Sequence, residues 1–367
     1  MARPLAAILL AGAAVAAAGT GVVFGGMMSD PDDGATTAAA GGPCDRFAAP
    51  GGADRGPGTL ERPFRTPQRL AEALRPGQTG CLRRGTYRGR LTISTAGTAR
   101  RPIVLQPRPG ESARIRGLIV VTRRSHHFTI RRLYLDGRNG EELPSPTVNG
   151  RNIRFADNDV TNENTAICFA LGHQRFGVAR RVTIQRNRIH DCGTLPATNL
   201  EQGVYVAIAR DTRLVGNWIY ANADQGVQLY PDARRTYIAG NVIDGNGEGI
   251  IFGGSRWTAA SDNLVVGNVI SNSRLRENIE SHFEGPIGTG NVVRGNCIGG
   301  GVRDAGMGGI LFPAVGFEAE ANLLAAPAFR DAASADYRLV PGSPCVRLFR
   351  GSPRAVPGPG VAPPTAG

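Results

Sequence analysis

The chain has 367 residues, and its net charge of +12 comes entirely from arginine, because it contains no lysine. That length suffices for one large domain with a substantial core, while the missing lysine excludes any mechanism built on a lysine base or Schiff base. No zinc-spaced Cys/His cluster occurs, nor any Gly-x-Ser-x-Gly, Walker or dinucleotide signature in a strand–turn–helix context.

Residues 1–28, MARPLAAILLAGAAVAAAGTGVVFGGMM, carry no charge between Arg3 and Asp30. A short basic start followed by an apolar run predicts a signal peptide, and the run is also long enough for an N-terminal membrane anchor. A linker is expected over 29–43, the folded domain over 44–350, and a disordered Pro/Gly-rich tail over 351–367. Six cysteines in an exported chain suggest disulfides, paired as local staples: Cys44–Cys81, Cys168–Cys192 and Cys297–Cys345. From Arg55 to Arg138 there are 19 arginines against 4 acidic residues. Such a stretch suits an acidic polymer such as a uronic-acid polysaccharide, or is simply a solvated face. Export argues against nucleic acid as the partner, and any membrane contact is expected only through the N-terminal anchor.

Self-similarity dominates the rest of the chain. RVTIQRNRIHDCG, TRLVGNWIYANAD, TYIAGNVIDGNGE, NLVVGNVISNSRL and NVVRGNCIGGGVR align, with a weaker copy at NIRFADNDVTNEN. Their shared asparagines, Asn158, Asn187, Asn217, Asn241, Asn268 and Asn296, recur every 24 to 30 residues. Each copy is followed by a second apolar run: TAICFA, QGVYVAI, QGVQLY, EGIIFGG, ENIESHF or GGILFP. The runs are short, β-branched and alternating, as strands are, and no segment holds helical periodicity for ten residues. Several short strands per repeat predict a parallel β-solenoid whose coils bury their inner faces by stacking. The asparagines are then corner residues, tolerant of left-handed geometry and able to pair with the asparagine of the next coil.

The GN-x-I…N-x-x-x-GI pattern resembles the repeats of right-handed parallel β-helix proteins, the pectate-lyase-like superfold. Residues 59–93 resemble the opening of such proteins, where a capping helix with Thr66 as N-cap, Pro67 in its first turn and Leu70 and Leu74 on one face precedes the first coil. Residues 322–345 resemble a closing segment. The resemblance spans roughly 55–348 and implies an all-β, single-domain right-handed parallel β-helix with an N-terminal capping helix. It does not name an activity, because the superfold hosts lyases, hydrolases, epimerases and binding proteins. LYPDA (229–233) resembles a turn of uncharacterised secreted members.

Aligning the second runs on Val204, Val227, Ile250 and Ile279 places Tyr205, Gln228, Ile251 and Glu280 in one outward column. A second column holds Ala207, Tyr230, Gly253 and His282, and a third, at the preceding turn, holds Gln202, Gln225, Glu248 and Glu277. Stacked strands bring such side chains about 4.8 Å apart. Glu248, Glu277, Glu280, His282 and Tyr230 are therefore the candidate catalytic residues. Tyr205, Gln202, Gln225, Gln228, Arg234 and Arg235 are the candidate substrate contacts. Three readings are compatible with them. Uronate β-elimination would place Ca²⁺ on Glu248 and Glu277 with His282 or Tyr230 as acid or base. In some pectate lyases the base is an arginine, for which Arg234 or Arg235 is the nearest candidate. Glycoside hydrolysis would use a carboxylate pair. Binding without chemistry would use the tyrosine faces and carboxamides. Basic charge favours a lyase over a hydrolase. The polygalacturonase signatures, an R-x-K segment and a paired Asp-Asp, are absent. The expectation is a secreted or cell-surface protein acting on or binding extracellular polysaccharide, with a non-catalytic carbohydrate-binding or adhesive protein as the alternative. His126, His127, His173 and the His190–Asp191 pair fall at coil corners or loops.

Overall fold

The computed structural model describes residues 43–349, which wind into a parallel β-solenoid. The expected leader, nearly all of the linker and the tail lie outside the described residues. From Thr79 to Phe283 each coil lays short strands on three faces. The face that carries the candidate residues is built by β1 (Leu91–Ile93), β2 (Ile119–Val121), β3 (Thr147–Val148), β4 (Phe169–Leu171), β5 (Val204–Arg210), β6 (Gln225–Arg234), β7 (Glu248–Gly254) and β8 (Ile279–Phe283). It runs into the next face as one 20-stranded sheet, and the third face is a separate ten-stranded sheet. Val204, Val227, Ile250 and Ile279 are paired in register and 0% exposed, so the inward column expected from the sequence is a core column.

A short helix, α1 (Pro67–Ala73), precedes the first complete coil. The Thr66 side chain accepts a hydrogen bond from the Arg69 amide, and proline stands in the first turn, where it has no amide bond to lose. Leu70 and Ala71 are buried against strand Thr79–Leu82. Gly80 makes the contact possible, since a Cβ there would lie 2.8 Å from Leu74 Cδ1.

The corners explain the asparagines. An unbroken ladder runs from Asn158 through Asn187, Asn217, Asn241, Asn268 and Asn296 to Asn322. At each step the backbone N–H and side-chain amide of one asparagine both donate to the Oδ1 of the next, as for Asn241 onto Asn268 at 2.9 Å each. The left-handed residue is the one before: Gly216, Gly240, Gly267 and Gly295 have φ of 64°, 62°, 63° and 61°, with Asp157 and Arg186 filling that role in earlier coils. The repeated Gly-Asn is thus a division of labour, glycine turning the chain and asparagine satisfying buried backbone groups. Asn222 and Asn246 form a second ladder, and Asn263 and Asn291 a third.

The disulfides are Cys44–Cys81, Cys168–Cys192 and Cys297–Cys345. Three disulfides and no free cysteine suit an oxidising, extracellular setting. Among the described residues no helix is long and apolar enough to cross a membrane. Cys297–Cys345 ties the closing segment to the outer side of the third face, where Trp218, Val242 and Val269 pack with Tyr337. His190 lies at the rim of this contact. It stacks on Tyr220 at 4.9 Å, which in turn meets Tyr337. Its ring nitrogens reach Asp159 (2.9 Å) and Asp191 (2.7 Å). Burial alone would lower its pKa, but the two carboxylates outweigh that and hold it up at about 9. Because this lies above the unfolded value, the stabilisation is fully present below pH 6.5 and lost as pH rises through 9. Wild type is therefore expected to lose thermal stability between pH 6.5 and 9, and His190→Gln to flatten that profile in calorimetric melts.

Candidate active site

The outward column of the first face is continuous. Thr92, Val120, Thr147, Ala170, Tyr205, Gln228, Ile251 and Glu280 pair in sequence across all eight strands. The second column follows in part. Gly253 pairs with His282, and a Cβ on Gly253 would come 3.0 Å from Tyr230 Cδ2. Tyr230 therefore leans over a position with no side chain, with His282 on its other side. A register shift after Val206 interrupts the column at Ala207. His282 is exposed and Tyr230 half-buried. Burial, followed by the nearby Glu284 charge, raises the Tyr230 pKa. Tyr205, half-buried beside Tyr230, is pushed up to about 12, chiefly by desolvation. Both phenols are thus proton donors rather than bases near neutral pH.

Most of the third column is closed off from solvent. Gln202, Gln225 and Glu248 are 1%, 1% and 2% exposed. They are linked in order, Gln202 Nε2 donating to Gln225 Oε1 at 3.2 Å and Gln225 Nε2 to Glu248 Oε2 at 3.3 Å. Two corner segments cover them. One reaches in with Asn199, whose Oδ1 accepts from Gln225 at 2.7 Å, and is pinned where the Leu200 and Glu201 amides donate to Asp224. The other, 274–277, is pinned where the Arg274 and Leu275 amides donate to Asn246 and Gly247.

The second segment delivers Arg276, which the column alignment passes over. One guanidinium nitrogen contacts Glu248 Oε2 at 3.0 Å and Glu280 Oε1 at 2.8 Å. Glu277 shares a hydrogen bond with Glu280. Three carboxyl groups therefore surround one cation, and they cannot all be ionised at low cost. Burial, the hydrogen bond with Glu277 and the charge of Glu248 push Glu280 up to about 8, with Arg276 opposing. Burial also raises Glu248, although Arg276 and Gln225 pull it back. Glu248 Oε1 has no partner. The cluster thus sets a carboxyl of raised pKa beside a guanidinium, a combination able to bind and neutralise an anionic group or give up a proton.

Arg234 and Arg235 are not brought to this cluster. Arg234 ends β6 and Arg235 follows it, paired with Asp232 at 2.8 Å and Asp211 at 2.7 Å respectively. Among the described residues no group of three or more His, Cys, Asp or Glu side chains is placed to hold a metal ion. The cation facing Glu248 is Arg276, so Glu248 and Glu277 as arranged do not fit Ca²⁺. Arg276 leaves one sequence signal, its position four residues before Glu280 and next to Glu277.

Residues 119–275 match the profile described as a right handed beta helix region. The fold is similar to that of the pectate lyase Pel9A, with a TM-score of 0.53, 13% identity, and coverage of 82% of this chain and 91% of that one. The uncharacterized protein YwoF of Bacillus subtilis (strain 168) is 35% identical over 71 residues, 19% of this chain and 15% of that protein. The chain thus spans only a small part of that relative's length.

Proposed function

Taking the chain as a right-handed parallel β-helix protein of pectate-lyase-like fold, we propose that it is exported and cleaves an acidic extracellular polysaccharide by β-elimination. The observation that carries this reading is the Arg276 nitrogen shared by Glu248 and Glu280 at the end of a ladder bearing Tyr205 and Gln228. A uronate unit lying on that ladder presents its own carboxylate to Arg276 and Glu280. Neutralising that carboxylate acidifies the adjacent C–H. His282 takes this proton, the electron pair forms the C4–C5 double bond, and the C4–O bond breaks. The leaving oxygen is protonated by Tyr230, whose raised pKa keeps it a donor. Pel9A, the structural neighbour, is a pectate lyase by name. Export is supported by the apolar leader and the disulfides.

The test is incubation with a panel of polyuronates, following the ultraviolet absorbance of the unsaturated product with and without chelator. Product that persists in chelator is expected, and loss of activity on chelation would restore a calcium role for Glu248 and Glu277. Reducing ends without unsaturation would make the protein a hydrolase. Absence of cleavage of every polyuronate would leave a binding protein.

A further inference from the structure

We propose a second, separate site: an arginine-lined pocket on the early coils that holds the anionic groups of an acidic glycan. A cavity of about 350 Å³ opens where the third face turns into β1, β2 and β3, lined by Arg88, Arg90, Arg116, Arg138 and Glu141. Its volume is in the range of small-ligand sites, larger than a lone inorganic anion needs. Gly89 and Gly117 also line it, at φ of 109° and 135°, and a Cβ on Gly117 would lie 2.1 Å from the Gly89 carbonyl oxygen. The two corners therefore stack without side chains, and the concavity follows.

The charges are out of balance. Arg88 pairs directly with Arg116 across neighbouring strands, an arrangement of like charges that costs stability. The next residue in that column is Asp136. Its carboxylate is taken by Arg138 at 2.6 Å and reaches Arg116 only at 3.8 Å. Arg138 also contacts Glu163. No carboxylate among the described residues pairs with Arg88 or Arg90, and Arg90 contacts only the Thr92 hydroxyl, at 3.3 Å. A planar oxyanion, carboxylate or sulfate, would supply the missing partner in the bidentate geometry that guanidinium groups favour.

Position argues for a polymer. The pocket borders β1 to β3 on the same corner at which Glu248 opens β7. From β2 to β8, which carries Glu280, is six strand steps, roughly 29 Å at the usual spacing. A glycan along the outward column would place one end in the arginine pocket and the other at Arg276 and Glu280. This extended placement rests on the proposed cleavage activity. The pocket's affinity for an acidic glycan does not.

The experiment is calorimetric titration with a uronate oligosaccharide, a sulfated glycan, a neutral glucan, inorganic sulfate and single-stranded DNA, on wild type and on Arg88→Ala/Arg116→Ala. Both positions reach solvent, and a thermal melt checks folding. Wild type is expected to bind the uronate or the sulfated oligosaccharide, the tighter identifying the anion, and not the glucan. The double variant is expected to weaken that binding tenfold or more and to lower its salt dependence. Unchanged affinity in the double variant would overturn the proposal. So would equal binding of sulfate alone or tighter binding of DNA. If wild type releases no product yet binding is lost in the double variant, the pocket stands and the cleavage reading falls. The reverse pattern sinks the pocket alone.

Discussion

Glu280→Gln is expected to reduce polyuronate cleavage by at least about a hundredfold, the usual scale for losing a positioned proton-bearing group. Glutamine keeps the shape and can face Arg276, but it cannot release a proton or share one with Glu277. Binding of the oligosaccharide should persist, so the loss should appear in kcat. The same substitution has an opposite effect on stability. The Glu280 pKa is raised from 4.5 to about 8, so its contribution is fully present below pH 4.5 and is lost as pH rises through 8. Wild type should therefore become less stable between those values, while the variant, with nothing to ionise there, should melt higher than wild type at alkaline pH. A variant that is both inactive and less stable at high pH would show that Glu280 serves packing.

The largest loss of stability is expected at the ladder. The Asn241 Oδ1 accepts from the backbone and side-chain amides of Asn217, and its Nδ2 donates to Leu214 and Ala239 carbonyls and to Asn268 Oδ1. Asn241→Leu fits the volume but leaves several of these buried neighbours without partners. Each unsatisfied buried group costs about 1–3 kcal/mol, and the sum is on the order of 3–5 kcal/mol. Gly240→Ala is the control. Its φ is 62° and open space surrounds the missing Cβ, so only the left-handed penalty of roughly 1–2 kcal/mol applies. Denaturant midpoints of the two variants should separate clearly, with similar m-values. Equal losses would mean that the turn, and not the ladder, carries the stability.

The coil architecture was legible because its physics is periodic. Val204, Val227, Ile250 and Ile279 identify the core column by alternation alone, and the same register predicts Tyr205, Gln228, Ile251 and Glu280 beside it. The Asn ladder was legible as chemistry, but the residue in the left-handed conformation was displaced by one, because glycine or its substitute precedes each asparagine. What could not be read was whatever arrives from outside the repeat. Burial of Gln202, Gln225 and Glu248 depends on corner segments of irregular length, and Arg276 enters on one of them. Alignment by columns has no place for an insertion. Glu248 was accordingly expected as a metal ligand, whereas its neighbour is a guanidinium.

A solenoid with parallel pairing has a further property. The separation of two sites on one face is a whole number of strand steps, each about 4.8 Å, and it cannot drift by fractions. The arginine pocket and the glutamate cluster are in this sense marks on a ruler. Adding one coil between β3 and β4 would keep the residues of both sites and would change only the span. The shortest oligomer able to occupy both ends would then lengthen by one step.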